Sequence, residues 1–543
     1  MQANSFSIKA NLADVWKKEI YPAEIKVENG RIAAICPIEE EQSIYVLPGF
    51  VDSHVHIESS LLIPVEFARL AVTHGTVATV SDPHEIANVC GMAGVDFMIA
   101  NGKKTPFKFY FGAPSCVPAT SFETAGATLE SDDVKALLQR PEIKYLSEMM
   151  NFPGVLNGDE EVMKKLKAAH DLDKPVDGHA PGLRGEMAKK YIDAGISTDH
   201  ECFTAEEALD KIGYGMKILI REGSAAKNFE ALADLLHEHA DVIMFCSDDK
   251  HPDSLILGHI NQLCARAVAK GISLFNVLQA ACVNPVQHYK LDVGLLRVAD
   301  PADFIAVNDL KDFKVVQTYI GGNLVAENGS SKIQSAQVSA INFFDCDPIQ
   351  TDDIQVKAAG KSFIDVIEAL DGQLITNKLS SSPRIVDGYV SSDTDCDILK
   401  LVVVNRYKKA PVAVSFIKNF GIKQGAIASS VAHDSHNVIA VGADDESLVR
   451  AVNLVVKEKG GLSCVSENAE KILPLPVAGL MTTDDGYSVA EAYTSLDNMA
   501  KITLGSTLAS PYMTLSFMAL LVIPHLKLSD KGLFDGDTFS FVN

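Results

Sequence analysis

Three things are scarce in this chain, and each scarcity closes off a class of protein. Positive charge is the first: 48 lysines and arginines stand against 71 aspartates and glutamates, a net charge of -23. A nucleic-acid backbone or an anionic membrane surface is a poor partner for such a chain, while a free base or nucleoside stays open as a substrate. Paired cysteine is the second. The 10 cysteines are scattered, with no C-x-x-C among them, which argues against structural zinc and disulfide frameworks and fits a reducing cytoplasm. Long apolar runs are the third: the nearest candidate, Met513 to Val522, is too short to cross a bilayer and reads as a buried core segment. The opening M-Q-A-N-S-F-S-I-K-A has neither the basic start nor the apolar core of a signal peptide, so a cytoplasmic location is expected. No G-x-G-x-x-G turn follows any strand, which disfavours a doubly wound dinucleotide-binding sheet.

What is present is alternation. From Pro48 onward eight strand candidates recur, at Phe50–His56, Thr76–Ser81, Lys108–Gly112, Lys144–Met149, Pro175–His179, Ser197–Glu201, Lys217–Arg221 and Val242–Ser247. Helical patterns lie between them: Pro64 to Thr73, Asp159 to His170, Phe229 to His239, and Ser254 to Lys270 after the last strand. Eight such pairs in about 225 residues is the size of a (β/α)8 barrel. A further short helix around N-V-L-Q-A-A-C-V is expected to end at Asn284-Pro285.

The flanks are too short for cores of their own. Residues 1–47 hold extended runs with an Asn29-Gly30 hairpin signal, and residues 298–340 hold two more strands and turns. The expected organisation is an α/β chain: a TIM-like barrel over 48–297, a small β-sandwich built from 1–47 and 298–340, and a C-terminal α+β domain over 341–543. The last includes strands Leu399–Val404, Val412–Phe416 and Val438–Gly442 and a helix from Asp445 to Lys457, and the polar stretch Glu327 to Gln337 is the linker.

The chemistry collects at strand ends. P-G-F-V-D-S-H-V-H-I-E-S-S puts Phe50, Asp52, His54 and His56 on one strand face. Two imidazoles on a buried face need satisfying, and a divalent metal does so well. Asp82, His84 and Glu85 follow the second strand, Glu148 ends the fourth, His179 the fifth, His200 the sixth, and Asp248 with Asp249 the eighth. In a barrel these ends share one rim, where the loops build an active site. His54, His56, Glu148, His179, His200 and Asp248 offer enough nitrogen and oxygen for two divalent ions with a carboxylate between them, and the absence of thiolates favours Mn(II), Fe(II) or Zn(II). Blander roles compete. His84 and Glu85 can simply tie down a loop, or touch substrate or metal. Glu201 can orient the ring of its neighbour. His170, His237 and His239 lie in helical patterns at the surface. His433, Asp434 and His436 form a loop hydrogen-bond cluster more readily than a metal site, because no carboxylate ligand is evident nearby.

D-S-H-V-H-I-E-S-S, S-D-P-H-E-I-A-N-V, G-H-A-P-G, T-D-H-E, S-D-D-K-H-P and A-H-D-S-H-N together resemble the amidohydrolase superfamily and, within it, the bacterial adenine deaminases. The resemblance spans most of the chain, including the C-terminal region. It implies hydrolytic deamination of adenine to hypoxanthine and ammonia by a hydroxide shared between two metals, Mn or Fe. Carried over by position, His54 and His56 bind one metal, His179 and His200 the other, and Glu148 bridges, with Lys144 four residues earlier on the same face as the alternative bridge. Asp248 binds metal and moves the proton through a free oxygen, Glu201 assists at the ring nitrogen, and His84 and Glu85 face the substrate. A cyclic-amide hydrolase of the same superfamily is the competing reading, and a carboxylate bridge weighs against it. The missing H-x-E…P-C-x-x-C signature disfavours a nucleic-acid-editing deaminase. A homo-oligomer, a dimer, is the expected assembly.

Overall fold

The computed structural model describes residues 5–358, 360 and 362–542. All eight expected barrel strands are present: β1 (Phe50–Val55), β2 (Thr76–Ser81), β3 (Lys108–Ala113), β4 (Ile143–Met149), β5 (Val176–Gly178), β6 (Thr198–Asp199), β7 (Lys217–Arg221) and β8 (Ile243–Cys246). β1 to β5 form one parallel ladder and β6 to β8 another. Two seams join them. Ser197 N donates to Val176 O beside β5 and β6, and a parallel bridge between Val55 and Asp248 closes β8 onto β1. The strands read as near-continuous apolar runs because both faces are covered, by the barrel interior on one side and helices on the other. The strands stop short of several expected ends. His56, His179 and His200 lie one residue beyond β1, β5 and β6, where the chain turns outward into the rim loops.

Three helical expectations need correction. Ser254 to Lys270 is two helices, Pro252–Leu255 and Ile260–Ala269. The break turns the His259 ring inward, where Nε2 lies 2.8 Å from Asp52 Oδ2 and Nδ1 lies 2.7 Å from Thr76 Oγ1. The Phe229 helix is α-helical only to Leu232 and tightens to a 3₁₀ turn over Ala233–His237. Asn284-Pro285 does not end its helix. A π turn over Gln279–Val283 leads into a resumed helix, Asn284–His288. Proline is tolerated in a first turn, where its missing N–H would be unpaired anyway, and the Asn284 amide donates to Ala240 O and Ile243 O, both at 2.7 Å.

One eight-stranded sheet carries strands from both flanks. Its order runs Ser330–Ser331, Asn323–Glu327, Val315–Ile320, Phe304–Val307, Tyr45–Pro48, Phe6–Asp14, Glu19–Glu28, Arg31–Pro37. It is a single sheet curled round its own core, since Ile25, Val27 and Ile32 from one end pack with Leu296, Phe304 and Tyr319 from the other. The Asn29-Gly30 turn joins its last two strands with φ of 51° and 77°, the left-handed pair a tight two-residue hairpin requires.

A second eight-stranded sheet, Thr376–Ser381 through Glu470–Pro474, lies in the C-terminal region. Helix Asp445–Glu458 covers one face through Leu448, Val452 and Val455. It begins where Asp444 accepts from Ser447 N at 2.7 Å and stops at Lys459, which takes a left-handed φ of 56°. Helices Gly486–Asn498 and Pro511–Phe517 carry the region onto the barrel. There Leu62 bridges Thr482, Gly486 N donates to Glu66 Oε2 at 3.0 Å, and Arg69 Nη1 donates to Asp485 Oδ2 at 2.7 Å. The run from Met513 is buried, as expected of a core segment. No helix among the described residues is long and apolar enough to cross a membrane.

Candidate active site

The rim histidines and carboxylates converge. His54 Nε2 and His56 Nε2 lie 3.1 Å apart, and Asp248 Oδ1 stands 3.5 and 3.3 Å from them. Glu148 occupies the centre. Its Oε1 is 3.3 Å from His56 Nε2, while its Oε2 is 2.8 Å from His179 Nδ1 and 3.2 Å from His200 Nε2. All six residues are buried. Beneath them Asp52 accepts from Ser247 N at 2.9 Å and meets His259, tying β1 to β8 below the H-x-H pair. Asp52 therefore shares the strand face of the histidines but serves the scaffold.

Electrostatics follows from that crowding. Burial opposes charge on Glu148, but His179, His200 and His56 outweigh it and hold the carboxyl well below its usual range. Burial likewise opposes charge on Asp248, and Arg221 with His54 and His56 overcomes it. His200 is pushed up to about 9, burial being outweighed by Glu148. Burial pulls His54 the other way, with His200 adding to the effect.

The donor set fits divalent ions. His54 Nε2, His56 Nε2, His179 Nδ1 and His200 Nε2 all face oxygens of Glu148 or Asp248 at 2.8–3.5 Å, so the ring nitrogens and carboxylates converge on one buried centre. Subsets of the cluster, among them His54–His56–Asp248, His54–Glu148–His200 and His179–His200–Glu201, bring potential ligand atoms within 4.8 Å of one another. Nitrogen and oxygen donors without thiolate suit divalent Mn, Fe or Zn.

Two expectations change in this setting. Lys144 sits in a separate cleft at the opposite end of the barrel with Phe109, Glu142 and Asp292. Four residues of strand at about 3.3 Å each separate it from the rim, so it contacts none of the cluster. Asp248 has only one oxygen open to the cluster: its Oδ2 accepts from Arg221 Nη1 at 2.8 Å, which leaves Oδ1 toward His54 and His56. Its backbone is also left-handed, with φ of 55°. Arg221, the last residue of β7, is the functional residue the sequence reading passed over. Its guanidinium holds Asp248 and both oxygens of Glu201, with Nη2 to Oε2 at 2.9 Å. The signal was available, because a charged residue at the end of K-I-L-I-R occupies the same kind of position as the other rim residues. Held in this way, Glu201 Oε1 stands 3.5 Å from His200 Nε2 and 3.6 Å from His179 Nδ1.

His84 joins the cluster's edge. Its Nδ1 lies 3.1 Å from Asp82 Oδ2 and 3.5 Å from Glu148 Oε1. Glu85 turns toward the C-terminal region, which overturns the expectation that no carboxylate lies near His433 and His436. Glu85 Oε1 is 2.5 Å from His433 Nδ1, and Oε2 meets His436 Nε2. The three could in principle hold a metal, but the His436 tautomer says otherwise. Burial pulls the His436 imidazolium down, and Ala432 N donates to its Nδ1 at 3.2 Å. A neutral ring accepting at Nδ1 carries its proton on Nε2, so it donates to Glu85 and has no lone pair for a metal there. His433, pushed up to about 9 by Glu85 and Asp249 against burial, is the cation of the clasp. Its ring stacks on Phe517 at 5.0 Å. The clasp thus brings C-terminal residues into a tight rim cavity of about 20 Å³, whose lining includes Glu148, Asp248, Leu374, His433, Asp434, Phe517 and Leu520. Asp249 also lines it, held by Ser59 Oγ, which donates to Oδ1 at 2.5 Å.

A barrel closed by a β8–β1 seam, with histidines and carboxylates ringing its C-terminal rim, is the architecture of a hydrolase of the amidohydrolase type, and residues 45–325 match the amidohydrolase family. That family implies a divalent metal centre. Residues 373–540 match the adenine deaminase C-terminal domain. Relatives named adenine deaminase align over nearly the whole chain. The one from Sulfurovum sp. (strain NBC37-1) is 56% identical over 99% of both chains. That of Salinibacter ruber is 55% identical over 99% of both, and that of Methanosarcina acetivorans 52% identical over 98% of both. The chain belongs to the adenine deaminase family of amidohydrolases.

Proposed function

We propose that the rim cluster carries out the reaction of that family, hydrolysis of adenine to hypoxanthine and ammonia, rather than ring opening of a cyclic amide. His54, His56 and Asp248 would hold one divalent cation, His179 and His200 a second, and Glu148 both, with Mn(II) or Fe(II) favoured and Zn(II) compatible. The observation that carries this reading is the split of Glu148: one oxygen faces His56, the other His179 and His200. When bound, two such ions supply Lewis-acid charge and lower the pKa of a shared water toward neutrality.

The chain's own groups do the rest. Water oxygen bonds to C6 of the purine, the C6–N bond breaks, and the leaving nitrogen must gain a proton. Asp248 is the group to carry it. Arg221 anchors its Oδ2, leaving Oδ1 toward His54 and His56 as the basic atom. A proton moved over so short a path by a fixed carboxylate contributes about 10²–10⁴-fold to rate. Glu201, gripped by the same guanidinium, is placed to steady His179 and His200. His84 and Glu85 close the edge where substrate enters, and Leu374, Phe517 and Leu520 give an apolar wall that keeps water from the ring.

Elemental analysis of anaerobically purified protein, paired with ammonia release from adenine, adenosine and dihydrouracil, tests this. Two metals per chain and turnover of adenine are expected. Ring opening of dihydrouracil without ammonia from adenine would overturn the assignment.

A further inference from the structure

Among the charged groups that line the cavity and that the reaction above does not use, Asp434 stands out. Asp434 is 3% exposed and lines the cavity beside His84. Among the described residues its Oδ2 is buried without any hydrogen-bond partner. The nearest cationic atoms to Oδ1, His84 Nε2 and His433 Nδ1, stand at 3.8 and 3.9 Å, beyond hydrogen-bond reach. A buried carboxylate oxygen left unpaired is costly, so a position of this kind calls for a donor.

The backbone around Asp434 is fixed on both sides. His433 and His436 are clasped by Glu85. Asn437 Nδ2 donates to Thr124 O at 2.9 Å, and Tyr407 Oη donates to Ser435 O at 2.6 Å. The carboxylate is therefore presented to the cavity by a braced loop and cannot swing away to find solvent.

Its distance from the reacting end is set by one ring. His84 stands between, with Nδ1 at 3.5 Å from Glu148 Oε1 and Nε2 at 3.8 Å from Asp434 Oδ1. Asp434 thus lies one imidazole ring and two contacts away from Glu148, on the same cavity wall but remote from the bridging carboxylate. Adenine carries two kinds of donor: the exocyclic amino group, which must face the cluster where its bond breaks, and a single N–H on the imidazole edge at the far end. A nucleoside has its sugar on that edge and no N–H.

We infer that Asp434 accepts the imidazole-edge N–H of the purine, so that a residue of the C-terminal region selects the free base over its nucleoside. This rests on the deaminase reading, and the test separates the two. Full-length, metal-loaded wild type, Asp434→Ala and Asp434→Asn are assayed with adenine, 7-methyladenine, 9-methyladenine and adenosine, by kcat/KM where turnover occurs and by Ki where it does not. Each methyl isomer lacks the imidazole N–H altogether. The wild type is expected to prefer adenine over both. Asp434→Ala should lose roughly 10- to 100-fold in kcat/KM for adenine, the scale of one charge-assisted hydrogen bond. The loss should fall mainly in KM, with metal content intact and the methylated bases nearly unaffected. Asp434→Asn keeps shape and an acceptor oxygen and should lie between, which guards against a folding defect in the alanine variant. An equal fall for all substrates, an unaltered KM for adenine in both variants, or a wild type indifferent to methylation overturns the role of Asp434. A wild type that releases no ammonia from adenine overturns the deaminase reading instead.

Discussion

The barrel rim and the C-terminal cap reach one cavity by different means. On the barrel each functional side chain sits at or just past the end of a strand, with its backbone pinned by ladder hydrogen bonds and its neighbours held by Asp52, His259 and Arg221. On the cap the corresponding residues occupy a loop, 430–437, between strands Ala426–Ser429 and Val438–Gly442. Their place at the rim depends on Glu85 and on which nitrogen of His436 carries the proton. Chemistry is thus assigned to the rigid part and access to the part that a few contacts hold. Variants at the rim should therefore act on metal content and kcat, and variants at the clasp on KM.

The largest effect should come from Glu148. Glu148→Gln replaces a split anionic carboxylate by a neutral amide, a poor partner for two cations. Metal content should fall below two per chain, and activity by more than about 100-fold, since even partners outside the ligand set cost roughly 10–100-fold in such sites. Full occupancy and activity in that variant, with loss in Lys144→Ala, would put the bridge at the wrong residue.

Asp248→Asn comes next. It keeps one ligating oxygen and removes the base, so metal should be largely retained while kcat drops about 10²–10⁴-fold. Asp249→Asn should be milder, because Asp249 is held by Ser59 on the cavity wall and not by the histidine pair. A dead Asp249→Asn beside a near-normal Asp248→Asn would move the proton carrier one residue along.

Below the rim lies a buried ion cluster that tests rigidity. Lys211 Nζ donates to Asp199 Oδ2 at 2.7 Å and Glu207 Oε1 at 2.8 Å. Lys211→Met would strand two buried carboxylates and cost about 3–5 kcal/mol, read as a lower midpoint in urea. Burial opposes ionisation of Asp199, yet Lys211 holds its pKa far below the usual value. A depressed acid contributes stability above its unfolded pKa of about 4 and loses it as pH falls toward the folded value. The wild type should therefore lose stability below about pH 4 more steeply than Lys211→Met.

At the cap, His436→Ala breaks the neutral half of the clasp. KM for adenine should rise roughly tenfold, about one hydrogen bond to a charged group, with kcat and metal content little changed. A fall in metal content instead would show that the clasp supports the rim directly.

The same contrast explains what could be read from the sequence. Barrel strands alternate with helices over a long span, and ligand-type residues at their ends repeat with that period, so His54, His56, Glu148, His179, His200 and Asp248 were legible as a set. Arg221 ends a strand too, but an arginine is no metal ligand and did not register beside them. The clasp was invisible for another reason. Glu85 and His436 are 351 residues apart, and no local pattern encodes a contact between a barrel helix and a distant loop. The break at His259 escaped likewise, because its cause is Asp52, on the far side of the barrel sequence.

The smallest expected effect concerns Asp177, inside the barrel on β5, on the strand face of His179. It accepts from Thr198 Oγ1 at 2.8 Å and from Tyr289 Oη at 2.9 and 3.0 Å. Burial pushes its carboxyl up to about 7 despite those bonds. The sign is opposite to that of Asp199. Between about pH 4 and 7 the folded state keeps a proton that the unfolded state releases, so the folded state loses relative stability as pH rises through that window and loses nothing further above it. Asp177→Asn removes the titration. In metal-depleted protein the variant should match wild type near pH 4 and be more stable at pH 8. The gain should be only about 1–2 kcal/mol, because Thr198 and Tyr289 already solvate the anion and asparagine gives up one acceptor. For a chain of this size that is on the order of a degree in Tm. A variant less stable than wild type at pH 8, with no change in slope between pH 4 and 7, would mean that Asp177 is ionised in the folded protein and that the barrel interior beneath the rim is better solvated than its burial implies.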